Sequence, residues 1–195
     1  MSLFKTLQSQ PATISIFHNA KLPLSNKLYN LLRLAYNKQI QLPEQPQFEI
    51  DVMKDKMPTY DQYLIFVNQC LKDNHSKTSL HKCYPFLSDR RKHYYESSGH
   101  SVTIKGIDFH DKIFTPEEYE MIHDTFNSIQ ELGDTQRDVL PSEVFKAPLV
   151  IDWDQNLIAT DEVALRKLLE KYLPSHSHEQ HQQYPQQHQH ATTPA

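Results

Sequence analysis

Thiol chemistry in this chain rests on two residues, Cys70 and Cys83. A thiolate, not a thiol, is the nucleophile, so each depends on what surrounds its sulfur. Cys83 sits beside His81 and Lys82, with Arg90 and Arg91 following, and these positive charges could hold a thiolate in a polar loop. The alternative is an ordinary exposed cysteine. Cys70 is in phase with Tyr63 and Val67 at the C-terminal end of an expected helix. Partial negative charge at that end and an apolar face both disfavour a thiolate, which describes an inert buried cysteine. Lys72, His75 and Lys77 could offset the dipole and make Cys70 a one-cysteine nucleophile, with Cys83 as resolving or alternative thiol. The segment between them is long enough to close a disulfide, although a reducing compartment disfavours a structural one.

Other constellations point to less. Cys70, His75, His81 and Cys83 are four zinc-ligand types, but their order matches neither C-x2–4-C nor H-x3–5-H knuckles, so no metal site is expected. The run Arg90-Arg-Lys-His-Tyr-Tyr95 interleaves basic and aromatic residues as an RNA-contacting loop does. On a chain of net charge −4 it reads as a solvated loop, and no nucleic-acid partner is expected. Asp108, His110 and Asp111 cluster without an identifiable partner base. Only three glycines exist, Gly99, Gly106 and Gly133, so neither a P-loop nor a G-x-G-x-x-G turn can be written. No apolar run approaches the roughly 20 residues that span a bilayer, and no membrane partner is expected. The histidines His176, His178, His181, His188 and His190 lie in a Gln-rich context and read as composition.

The elements that would position the thiols follow from periodicity. Thr13 to Phe17 alternates with β-branched residues and reads as a strand. Leu24, Leu28, Leu31, Leu32 and Ala35 recur at helical spacing, with Ser25 near the start; Phe48, Ile50 and Val52 alternate again. Strand, helix, strand at these lengths is a βαβ unit with a right-handed crossover and parallel strands. A second helix starts at Met57-Pro58-Thr59 and carries Tyr60, Tyr63, Leu64, Val67 and Leu71 on one face. From Asp73 to Lys112 the periodicity fades, which reads as an insertion or long surface loop over about 73–112. Thr115-Pro116-Glu117-Glu118 is a capping box with Pro in the first turn, followed by the stripe Tyr119, Ile122, Phe126, Ile129 and a stop at Gly133. Then come a strand entered through Pro148, the polar turn Asp154-Gln155-Asn156, a strand Leu157 to Ala159, and a helix capped by Asp161. Residues 174–195 have too little apolar surface to fold, consistent with a mean hydropathy of −0.66 for the whole chain. Residues 1–12 are basic and acid-free, with Leu3, Phe4 and Leu7 on one helical face, as in a mitochondrial targeting segment.

Strand, tight turn, strand, helix is how thioredoxin-like domains finish, and Pro148 stands where that fold carries its cis-proline. The expected architecture is therefore α/β and thioredoxin-like over 13–173, with the insertion. In that fold the reactive dithiol follows the first strand. Here that turn reads His18-Asn19-Ala20-Lys21-Leu22-Pro23-Leu24-Ser25 and contains no sulfur, which excludes a C-x-x-C mechanism.

Three stretches carry a resemblance: Met1 to Phe17, Met57-Pro-Thr-Tyr-Asp-Gln-Tyr63 through Cys70, and Leu149-Val-Ile-Asp-Trp-Asp-Gln-Asn-Leu157. They resemble a small fungal family of mitochondrial redox proteins with a thioredoxin-like fold. The resemblance implies a mitochondrial thiol oxidoreductase that reduces small toxic molecules, with glutathione as a conceivable electron donor. Cys70 matches a family cysteine. A second family cysteine, before the last hairpin, has no counterpart in Asp134 to Pro141. The implied site is Cys70 and Cys83 for catalysis, with Pro148 binding a small-molecule substrate. The alternative is a catalytically silent thioredoxin-fold module that binds a partner in the cleft beside Pro148.

Overall fold

The computed structural model describes residues 11–85, 93–95, 101–103, 114–132 and 140–173. Strand β1 (Ala12–His18) leads into helix α1 (Pro23–Gln39) and strand β2 (Phe48–Lys54). Helix α2 (Tyr60–Ile65) runs into a single π-turn, Phe66–Cys70, and helix α3 (Asn74–Cys83) follows. Strands β3 (His93–Tyr95) and β4 (Ser101–Thr103) form a separate antiparallel pair. Helices α4 (Pro116–Glu131) and α5 (Pro141–Val144) precede strands β5 (Leu149–Asp152) and β6 (Leu157–Ala159), and helix α6 (Glu162–Leu169) closes the series.

The main sheet is mixed, with order β2-β1-β5-β6. The β1–β2 pair is parallel, as the βαβ pattern requires, whereas β5 runs antiparallel to both β1 and β6. Alternation along β1 divides the apolar mass in two. Ile14 and Ile16 point toward α1 and α6, meeting Leu28, Leu32, Val150, Leu165, Leu168 and Tyr172. Phe17 points to the opposite face, meeting Tyr63, Phe66, Leu80, Tyr84, Tyr119 and Phe145. That second face is the aromatic one, and its rings pack mostly edge-on or tilted, as at Phe17–Phe145, where the centroids are 5.9 Å apart.

Local chemistry sets the helix boundaries. Thr59 caps α2, and Thr115 caps α4 with Glu118 returning to the Thr115 N–H, both full capping boxes. Asp161 caps α6 by accepting from Ala164 N at 2.9 Å. Helix α1 departs from the expected start: Pro23 occupies its first turn, Leu22 supplies no side-chain cap, and Ser25 lies inside the helix, fully buried.

The segment from Asp73 onward, expected to be an insertion or long surface loop, begins with a helix, α3. Its start is a reciprocal Asp73–Ser76 box, a short-range signal that the weak periodicity concealed. Ser76, Ser79, Leu80 and Cys83 form its inward face, so half of the buried stripe is hydroxyl and thiol and scores as polar. The Arg90 to Tyr95 side chains, Asp108, His110, Asp111, Gly133 and the tail histidines lie outside the described residues, as do the expected targeting segment through residue 10 and the tail from 174. The peptide bond Ala147–Pro148 is cis.

Candidate functional site around Cys83 and Pro148

Helix α3 ends against the loop that enters β5. Lys146 N–H donates to the Cys83 carbonyl at 2.8 Å, and Cys83 Sγ lies 4.0 Å from the Pro148 carbonyl oxygen and 3.5 Å from that of Ser79. Two of the three residues singled out from sequence are thus brought together, although they stand far apart in the chain. Pro148 is buried.

Cys83 is 1 % exposed, in contrast to the polar loop expected for it. Burial pushes its thiol up to about 12, against smaller opposing effects of Lys82 and Lys146. His81 lies on the same short helix, but the lysine charges that reach Cys83 are too weak to offset the loss of water. Tyr84 follows immediately. Its hydroxyl is 2.9 Å from that of Tyr119, which in turn lies 2.9 Å from the Pro58 carbonyl. Tyr119 donates its one proton to Pro58, which makes Tyr84 the donor to Tyr119. Burial drives the Tyr84 and Tyr119 hydroxyls upward as well. The surroundings of Cys83 are dry and aromatic.

Cys70 belongs to the same aromatic cluster and is equally buried, at the end of the π-turn. Desolvation raises its thiol to about 11, with Lys72 opposing. Lys72 has another role: its Nζ reaches the Gln155 carbonyl in the β5–β6 turn at 3.4 Å. Both cysteines are free thiols. No group of three or more potential metal ligands occurs among the described residues.

Two polar clusters lie outside the thiol reading: one has no expectation attached to it, and the other, at Asp152, accords with packing and turn chemistry in the terminal strand. At the C-terminal end of β1, His18 Nδ1 lies 2.7 Å from Ser25 Oγ, which also accepts from Asn19 N–H at 3.0 Å. The pair bridges the turn between β1 and α1, where the sequence reading concerns only the absence of sulfur. At the end of β5, beside the β5–β6 turn, Asp152 is fully buried. Its carboxylate accepts from Asp154 N–H, Gln155 N–H, Gln155 Nε2 and Tyr172 O–H. An acid inside an apolar strand was the available signal there, because a buried carboxylate demands partners.

The fold and site define a mixed α/β protein with a four-stranded sheet, in which helix α3 sets a buried thiol against the loop before β5. The chain belongs to the family described as "Protein of unknown function (DUF1687)", whose model matches residues 4–161. No curated protein and no solved structure matches it.

Proposed function

We propose that this chain is a thioredoxin-like domain acting as a catalytically silent binding module, which holds a partner at the sheet end marked by His18 and Pro148. Support for the fold comes from strand order β2-β1-β5-β6, a parallel βαβ unit and a closing antiparallel hairpin with its helix. The observation that carries the function is the burial of both thiols, each 1 % exposed. Thiols at about 11 and about 12 hold roughly one thiolate in 10³ and in 10⁴ at pH 8, whereas a cysteine at the ordinary value of 9.0 is about one tenth ionised. Nucleophilic turnover on that population would be slow. The resemblance supports a mitochondrial location.

A second reading, a mitochondrial thiol oxidoreductase reducing small molecules with glutathione, is favoured by the approach of Cys83 Sγ to the Pro148 carbonyl. In that reading a ligand entering beside Pro148 would meet Cys83, with Cys70 as a further thiol. Alkylation of the native full chain across pH, read at each cysteine by peptide mass, separates the two. The module reading expects both thiols to react far more slowly than in the unfolded chain. Fast native alkylation of either cysteine near pH 7 would overturn it in favour of the oxidoreductase.

A further inference from the structure

His18 is 7 % exposed, yet of its two ring nitrogens only Nδ1 has a hydrogen-bond partner among the described residues. The proton positions follow from counting donors. Ser25 is fully buried, and its oxygen already accepts from Asn19 N–H. If His18 Nδ1 carried the proton, Ser25 would receive a second donor and its own O–H would be left without an acceptor, at a cost of about 1–3 kcal/mol. The satisfied arrangement has Ser25 O–H donating to Nδ1, which leaves the imidazole proton on Nε2. Nε2 has no partner among the described residues, and it is not one of the buried side-chain atoms left unsatisfied, namely Tyr63 Oη, Ser79 Oγ and Thr160 Oγ1. It is a donor with no protein partner among the described residues, on a ring further fixed by Tyr29, whose centroid is 5.0 Å away.

The neighbourhood of that donor is cationic. Lys54 is the register partner of His18 on β2, and alternation places the two side chains on the same face. One step past the pair Phe17–Leu149, the antiparallel register sets His18 opposite Pro148. Exposed Lys56 follows Lys54, and exposed Lys146 precedes Pro148; Asp55 is the one acid on these connecting segments. An orientated N–H donor within a lysine rim suits an oxygen acceptor that also carries negative charge.

We propose that His18 Nε2–H and Lys54 together bind a carboxylate group of the ligand at this end of the sheet. The inference rests on the binding-module reading and deepens it. The test uses the full chain and two probes of nearly equal shape, acetate and acetamide, followed by ¹⁵N–¹H spectra of the histidine rings and the backbone. The expected result is a His18 ring protonated at Nε2, whose signals shift saturably with millimolar acetate and not with acetamide. Lys54→Gln should weaken acetate binding about two- to fivefold, the range of a solvent-exposed ion pair. A His18 ring unmoved by acetate, or moved equally by acetamide, would overturn the proposal. Shifts at the Lys146 and Leu149 amides without any at His18 would also overturn it, while leaving the module reading intact. Rapid native alkylation of a cysteine would remove the module reading, and the acetate titration would still decide the His18 donor by itself.

Discussion

Replacing Asp152 by alanine is the sharpest probe of how this fold is held. The carboxylate organises the β5–β6 turn through Asp154 N–H at 3.0 Å and Gln155 N–H at 2.9 Å. It reaches α6 directly through Tyr172 O–H, and indirectly through Gln155, whose Nε2 also donates to the Leu168 carbonyl at 2.9 Å. Removing it leaves a buried phenol and up to two backbone N–H groups unsatisfied. Each orphan costs about 1–3 kcal/mol, and partial hydration of the turn lowers the sum, so the expected loss is about 3–5 kcal/mol. For a domain of this size that corresponds to roughly 10–15 °C in melting temperature. Tyr172→Phe removes one bond to a charged acceptor and should cost about 1.5–3 kcal/mol. Urea unfolding of both single variants and the double variant gives the coupling between them, expected to be about 1–2 kcal/mol because they share this contact. A loss below about 1 kcal/mol for Asp152→Ala, or strict additivity with Tyr172→Phe, would refute the reasoning.

The remaining expectations concern pH and the sheet edge. Cys70 and Cys83 are raised in the folded state to about 11 and about 12 from an ordinary value of 9.0. The folded chain therefore holds these protons where the unfolded chain releases them. Their stabilisation is complete below about pH 9 and is lost as pH rises toward 12. A melting series from pH 8 to 11 should show a decline that Cys83→Ala makes shallower; an unchanged slope would exclude a titrating Cys83. Gln39 closes the start of β2 by accepting from Phe48 N–H at 2.8 Å and donating to the Phe48 carbonyl at 2.6 Å, both buried. Gln39→Ala should cost about 2–4 kcal/mol by denaturant unfolding, and a change within 0.5 kcal/mol would show that water replaces the amide.

Elements with a strong period or a strong cap were legible in the chain. The alternating residues of β1 and β2, the helical spacing of α1, and the Thr115 and Asp161 caps depend on neighbours a few residues apart, and all are present. Helix α3 escaped because its inward face, Ser76, Ser79, Leu80 and Cys83, lacks apolar contrast. Its existence depends on packing against the aromatic layer, a long-range effect that outweighs local composition.

For the candidate site the division follows the same physics. The sequence by itself established which chemistry is absent: with no sulfur between His18 and Ser25, dithiol exchange at that turn cannot occur in any fold of this chain. It also identified Cys70, Cys83 and Pro148 as residues to locate. Only the tertiary structure decided that Cys83 meets Pro148, that both thiols are dry, and that His18 and Ser25 are hydrogen-bonded. Solvation and hydrogen-bond partners are properties of the three-dimensional neighbourhood, supplied here by strands and helices far apart in the chain. A thiol surrounded by lysines on paper stays protonated once desolvation exceeds their field.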